Sequence, residues 1–134
     1  MTMLRRLIAP ALLAVVLASL VVACSGSAGL PGTPVALRTA PVKVDACDMA
    51  LLAGELVASA QSGLAVRGPE QVTEVLWPFG YSASREATGL VLRDDTGKIV
   101  AHEGQRVTMG GGGGANGLFN ACAGTVQEVS NTGG

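Results

Sequence analysis

The sequence predicts an all-β fold, either a small, partly open β-barrel of OB-like form or a sandwich. Three observations point there. The apolar stretches beyond residue 46 are short and bounded by Gly, Pro, Asp and Ser, as in strands separated by turns. The turn signals recur at intervals of roughly 8 to 12 residues, the spacing of sandwiches and small barrels. No long helical period can be placed. A barrel also removes exposed strand edges, which suits a single small domain.

The strands run in order along the chain. Leu51–Ser59 is the first, and Gly63–Arg67 the second, entered through Gln61-Ser62-Gly63. Val72–Trp77 is the third, after the break at Gly68-Pro69, and Pro78 and Gly80 stop it. Gly89–Arg93 and Ile99–His102 form a hairpin around Asp94-Asp95-Thr96-Gly97, whose glycine is free to adopt positive φ. Gln105–Met109 is the sixth strand, and Ala123–Ser130 the last, with Val126 and Val129 its apolar members. Cys47–Ala53 and Ser82–Ala87 could each form one helical turn. The stretch ending in Gly104-Gln105-Arg106-Val107 resembles the strand pairs of OB-like barrels.

The N-terminus carries a different signal. Arg5 and Arg6 precede an apolar run from Leu7 to Ala23, broken by Pro10 and Ser19. A basic start, an apolar middle and a small residue before a cut mark an export signal. The run ends in Val21-Val22-Ala23-Cys24, which resembles the lipobox of bacterial lipoproteins. The resemblance implies cleavage before Cys24 and a diacylglyceryl group on its sulfur, hence a palmitate-type anchor at the extracytoplasmic face of the cell membrane. Two acyl chains hold stably where one is marginal, at about 0.8 kcal/mol per buried CH₂. Two alternatives use the same residues. An uncleaved span needs about 17 to 25 apolar residues, so this run is at the short end. Ordinary signal cleavage would use Val21-x-Ala23. The resulting organisation is a signal peptide at 1–23 and a lipidated cysteine with a disordered tether at 24–46. A β domain at 47–130 and a short tail at 131–134 complete it. Glycine and serine loosen the first part of the tether, and Pro31, Pro34 and Pro41 stiffen the rest.

Composition narrows the function classes. Without Arg5 and Arg6 the mature chain keeps seven of the nine basic residues against ten acidic ones, a net charge of −3. It has no basic stripe to track a phosphate backbone, so no nucleic-acid partner is expected. Of three cysteines, acylation uses Cys24. Cys47 and Cys122 remain, and an even remainder in an exported chain reads as a disulfide. Two distant cysteines and His102 do not make a metal-ligand cluster. No metal or cofactor is expected.

Few residues suggest chemistry. Trp77-Pro78-Phe79-Gly80-Tyr81 holds three of the four aromatic side chains, with Phe119 the fourth. Trp77, Phe79 and Tyr81 form a candidate contact surface, because such rings offer π faces and polar tips. The competing and favoured reading is a packed turn closing one end of the barrel. This pentapeptide, the Cys47/Cys122 pair and the glycine run together resemble small uncharacterised bacterial lipoproteins. That resemblance implies a shared fold and no activity. Gly110–Gly114 lacks the Lys-Ser/Thr of a phosphate-cradling loop, so it reads as a flexible loop that could gate a site. His102 could titrate near neutral pH, but no motif supplies a nucleophile. Asp94, Asp95 and Glu103 lack the alternating ligands of a calcium loop and read as solvated turn residues. Arg85, Glu86 and Arg93 read as surface charges. The expectation is a non-enzymatic, lipid-anchored binding or accessory domain of the envelope, contacting an envelope protein or a small ligand. The rival is an envelope enzyme or a small-molecule carrier. A carrier needs an apolar pocket with a few converging polar groups, an interaction module an exposed patch, and an enzyme perturbed ionisable groups in a cleft.

Overall fold

The computed structural model describes residues 32–130. The signal segment, Cys24 with residues 25–31 of the tether, and the tail at 131–134 lie outside the described residues. Among the described residues there are ten strands and no helix. They are β1 (Thr33–Val35), β2 (Ala50–Ser59), β3 (Gly63–Arg67), β4 (Val72–Leu76) and β5 (Ser82–Glu86), then β6 (Gly89–Arg93), β7 (Ile99–His102), β8 (Arg106–Gly113), β9 (Phe119–Ala121) and β10 (Gln127–Glu128).

Five of them close a small barrel in the ring order β8-β2-β3-β4-β9, with β9 returning to β8. Only the β4–β9 pairing in this ring is parallel. β10 adds to the outside of β8. Strands β5 to β7, which lie between β4 and β8 in the chain, join the N-terminal β1 in a second, antiparallel sheet, in the order β1-β5-β6-β7. The small all-β barrel is thus present, and it is closed where the sequence suggested partial opening.

Closure depends on β2, which serves two partners. Its first part, from Ala50 to Glu55, pairs with β8, and its second, from Glu55 to Ser59, pairs with β3. The changeover falls at Glu55. A Cβ on the preceding Gly54 would collide with the Arg67 carbonyl oxygen and sit 2.8 Å from Val66 Cγ1. Glycine therefore lets β3 approach closely where the barrel turns its corner.

One core joins the two sheets. Leu56, Leu64, Val66, Val75, Val107 and Met109 come from the barrel, and Ala83, Leu90, Leu92 and Ala101 from the second sheet. Leu90 and Leu92 are two apart on β6 and so share a face.

Four expectations need correction. Residues 33–40 are ordered parts of the fold. β1 pairs with β5, and Arg38 and Ala40 donate backbone N–H groups to Ser62 O and Trp77 O. Exposure alternates along Thr33–Thr39, with Val35 and Leu37 turned inward and packed on the core. Cys47–Ala53 is no helical turn but exposed chain running into β2, and Ser82–Glu86 is strand β5. Gly110–Gly113 is no flexible loop but the second half of β8. Partners on both sides hold it there, β2 on one edge and β9 on the other. A Cβ at Gly111 would collide with the Asn120 carbonyl oxygen, so the low strand propensity of glycine is overridden by the need for close approach. The last strand shrinks from Ala123–Ser130 to the two residues of β10, because only Gln127 and Glu128 lie in ladder register with β8, and Val129 adds one N–H bond to Arg106 O at 2.8 Å.

Candidate functional site

The aromatic turn comes directly after β4 and divides its three rings between two roles. Trp77 is fully buried, and its indole N–H donates to Leu64 O at 2.9 Å. Its backbone is held on both sides by the N-terminal segment. Trp77 N–H donates to Arg38 O at 2.9 Å, and Ala40 N–H donates to Trp77 O at 2.8 Å. Tyr81 is buried too, and its hydroxyl accepts from Gly124 N–H at 3.3 Å. Burial raises the Tyr81 phenol above its ordinary pKa, against the smaller opposing pull of the Gly124 N–H. Gly80, at φ 82°, supplies the left-handed residue that reverses the chain between them. Trp77 and Tyr81 are therefore core residues, and the three-ring contact surface reduces to Phe79, which is 50% exposed.

Phe79 borders a cleft of about 350 Å³. Its second wall is a strap, residues 41–49, in which every residue is exposed. Among the described residues, no backbone hydrogen bond ties this strap to the body between Ala40 and the start of β2. The Cys47–Cys122 disulfide does so instead, with Cα atoms 5.6 Å apart across 75 residues of sequence. The third wall runs from Asn120, near the end of β9, to Ala123. Thr125 stiffens that wall, its hydroxyl accepting from Gly110 N–H at 3.0 Å and donating to Cys122 O at 2.7 Å.

The lining is mostly apolar. Val42 and Val44 come from the strap, Leu76 and Pro78 from the end of β4 and the aromatic turn, and Ala121 and Ala123 from the third wall. Four polar residues line the same space: Lys43, Asp48, Asp95 and Asn120. Asn120 Oδ1 is buried with no hydrogen-bond partner. Asp48 lies against the glycine strand, its carboxylate occupying the place a side chain at Gly112 would take. Gly112 is the register partner of Asn120, so Asp48 and Asn120 belong to one corner of the cleft.

The other polar clusters hold the fold together. Glu74 accepts from Ser59 Oγ at 2.7 and 2.9 Å and from Ser62 Oγ, and so clamps the β2–β3 turn. Ser62 is buried, which removes it as a nucleophile for an outside substrate. Arg93 and Glu86 form an ion pair at 3.4 Å, and Glu86 also accepts from Gly32 N–H at 3.1 Å. These charges, read as surface groups, anchor the start of β1 to the second sheet. His102 Nδ1 stands 2.9 Å from Glu128 Oε2, linking β7 to β10 away from the cleft. Asp94 is a turn former. Its carboxylate accepts from Thr96 Oγ1 at 2.6 Å, Thr96 N–H at 2.9 Å and Lys98 N–H at 3.1 Å. The Thr96 hydroxyl contributes most to holding its pKa below the usual value. Glu103 caps the hairpin edge by accepting from Leu90 N–H at 2.7 Å. No group of three or more His, Cys, Asp or Glu side chains suited to a metal occurs among the described residues.

Sequence reasoning identified Phe79 but missed Lys43, Asp48 and Asn120. One signal was present. Val42 and Val44 are apolar residues in a segment otherwise read as tether, next to a cysteine expected to bridge to the far end of the domain. Comparison of the chain with protein-family models, with curated proteins and with solved structures finds no match.

Proposed function

We propose that this chain is a lipid-anchored, non-enzymatic binding domain of the cell envelope that holds one small, largely apolar molecule in the cleft beside Phe79. The cleft is the observation that carries the reading. A volume of about 350 Å³ with mostly apolar walls and a few polar residues on the lining fits the general description of a small-molecule site. The expectation of a binding rather than catalytic role rests on the polar clusters, which are engaged in holding turns and strand ends. The anchor rests on Val21-Val22-Ala23-Cys24 and on the disulfide, which suits an exported chain. On this reading a lipidated Cys24 holds the domain at the membrane, and the chain between Cys24 and β1 stands it off the surface.

Native mass spectrometry of the protein extracted gently from membranes tests both parts. Wild type is expected to carry a diacylglyceryl mass that Cys24→Ser lacks, together with a small bound molecule. Ala123→Trp, which places an indole at an exposed wall of the cleft, is expected to keep the lipid and lose that molecule. A mature chain without lipid would overturn the anchor. A bound molecule retained by Ala123→Trp would overturn the site.

A further inference from the structure

The charges on the lining say what kind of head group the cleft accepts. Asp48 and Asp95 put two carboxylates on the lining against the single ammonium of Lys43, and neither carboxylate is in an ion pair within 4 Å among the described residues. Acceptors and negative charge therefore outnumber donors and positive charge. The half-exposed ring of Phe79 adds a π face, which attracts cations. Gly112 is what admits Asp48 to the corner, since any side chain there would displace its carboxylate.

We infer that the cleft takes an amphiphilic amine: an apolar body against Val42, Val44, Leu76 and Phe79, and an N–H-bearing cationic head at the Asp48 carboxylate, with Asp95 on the same lining. This rests on the cleft being the binding site, and it adds the chemical class of the occupant. The amine binds without covalent change. The Asp48 carboxylate accepts its hydrogen bonds, and the apolar walls strengthen these contacts by excluding water.

Three probes with a common apolar body test the inference: 2-phenylethylamine, 2-phenylethanol and 3-phenylpropanoate. Each is titrated by NMR into the full mature chain in lipid nanodiscs. The amine is expected to bind about tenfold more tightly than the alcohol, the worth of one charge-assisted hydrogen bond, and the carboxylate most weakly. Asp48→Asn, a change on the exposed strap that leaves the core untouched, is expected to bring the amine down to the alcohol's affinity and leave the alcohol unchanged. Asp95→Asn provides a second variant with the same expected direction and a smaller effect. Equal binding of amine and alcohol, or strongest binding of the carboxylate, overturns the amine inference while the cleft stays the site. Binding of all three probes unaltered by Ala123→Trp, or of none, overturns both.

Discussion

The body of the molecule and the strap that borders its cleft are held by different forces. The body is a barrel and a sheet around one shared core, with Trp77, Leu56, Leu64 and Leu92 fully buried and every strand paired. The strap at 41–49 is exposed throughout, contributes nothing to that core and is fixed by a covalent bond between Cys47 and Cys122. Burial stabilises the first at roughly 25 cal/mol per Å² of apolar surface. The second depends on a cross-link that restricts the unfolded chain. The lesson is that a wall with no core of its own can still be positioned if it is tied at one well-chosen point. Cys122 is that point, because it lies in the cleft wall and its N–H donates to Gly110 O at 2.9 Å.

This contrast can be broken from either side. Trp77→Ala attacks the body. It removes the largest fully buried side chain together with its bond to Leu64 O, and is expected to cost about 3–5 kcal/mol in urea unfolding. An unchanged midpoint would show Trp77 to be dispensable to the core. Replacing both Cys47 and Cys122 by serine attacks the strap. The expected cost is about 2–4 kcal/mol, with a folded barrel retained and amide exchange rising in 41–49 more than elsewhere. Uniform loss of protection would mean that the disulfide holds the body as well.

The smallest effect lies at Tyr81, a core residue whose hydroxyl holds Gly124 next to the cleft wall. Its phenol is raised by burial, so the unfolded chain ionises first as pH increases. Stability is therefore intact below the ordinary tyrosine value of about 10 and declines as pH rises through that value towards the folded one. Tyr81→Phe is expected to cost about 1 kcal/mol at neutral pH by leaving Gly124 N–H without its acceptor. It should also remove Tyr81's share of the alkaline decline. Wild type and variant declining identically would contradict the burial of this ring.

The body was more legible in the sequence than the site. β3, β6 and β7 fall where Gly and Asp signals bound short apolar runs, because a hairpin announces itself locally. Gly97 at φ 86° and the Asp94 carboxylate accepting from Thr96 and Lys98 are local devices of that kind. Two features were hidden because their causes are distant. Gly110–Gly113 is a strand because β2 and β9 both pair with it, and β2 lies far upstream in the chain. β1 lies in chain rich in Pro and Thr, and its partner β5 is remote in sequence, with Thr33 opposite Arg85. The alternation of Val35 and Leu37 was its one local trace. The cleft corner was hidden for the same reason. Asp48 meets Asn120 only because a barrel strand without a side chain at Gly112 lets them converge.

Amide hydrogen exchange of the full mature chain in nanodiscs, with and without saturating 2-phenylethylamine, tests the central claim most directly. The claim is that the strap and the Asn120–Ala123 wall together form the binding site. Protection is expected to rise at 41–49 and at 120–123 and to stay constant in β3, β6 and β7. No change at the strap, or a change centred on the barrel strands, would contradict it.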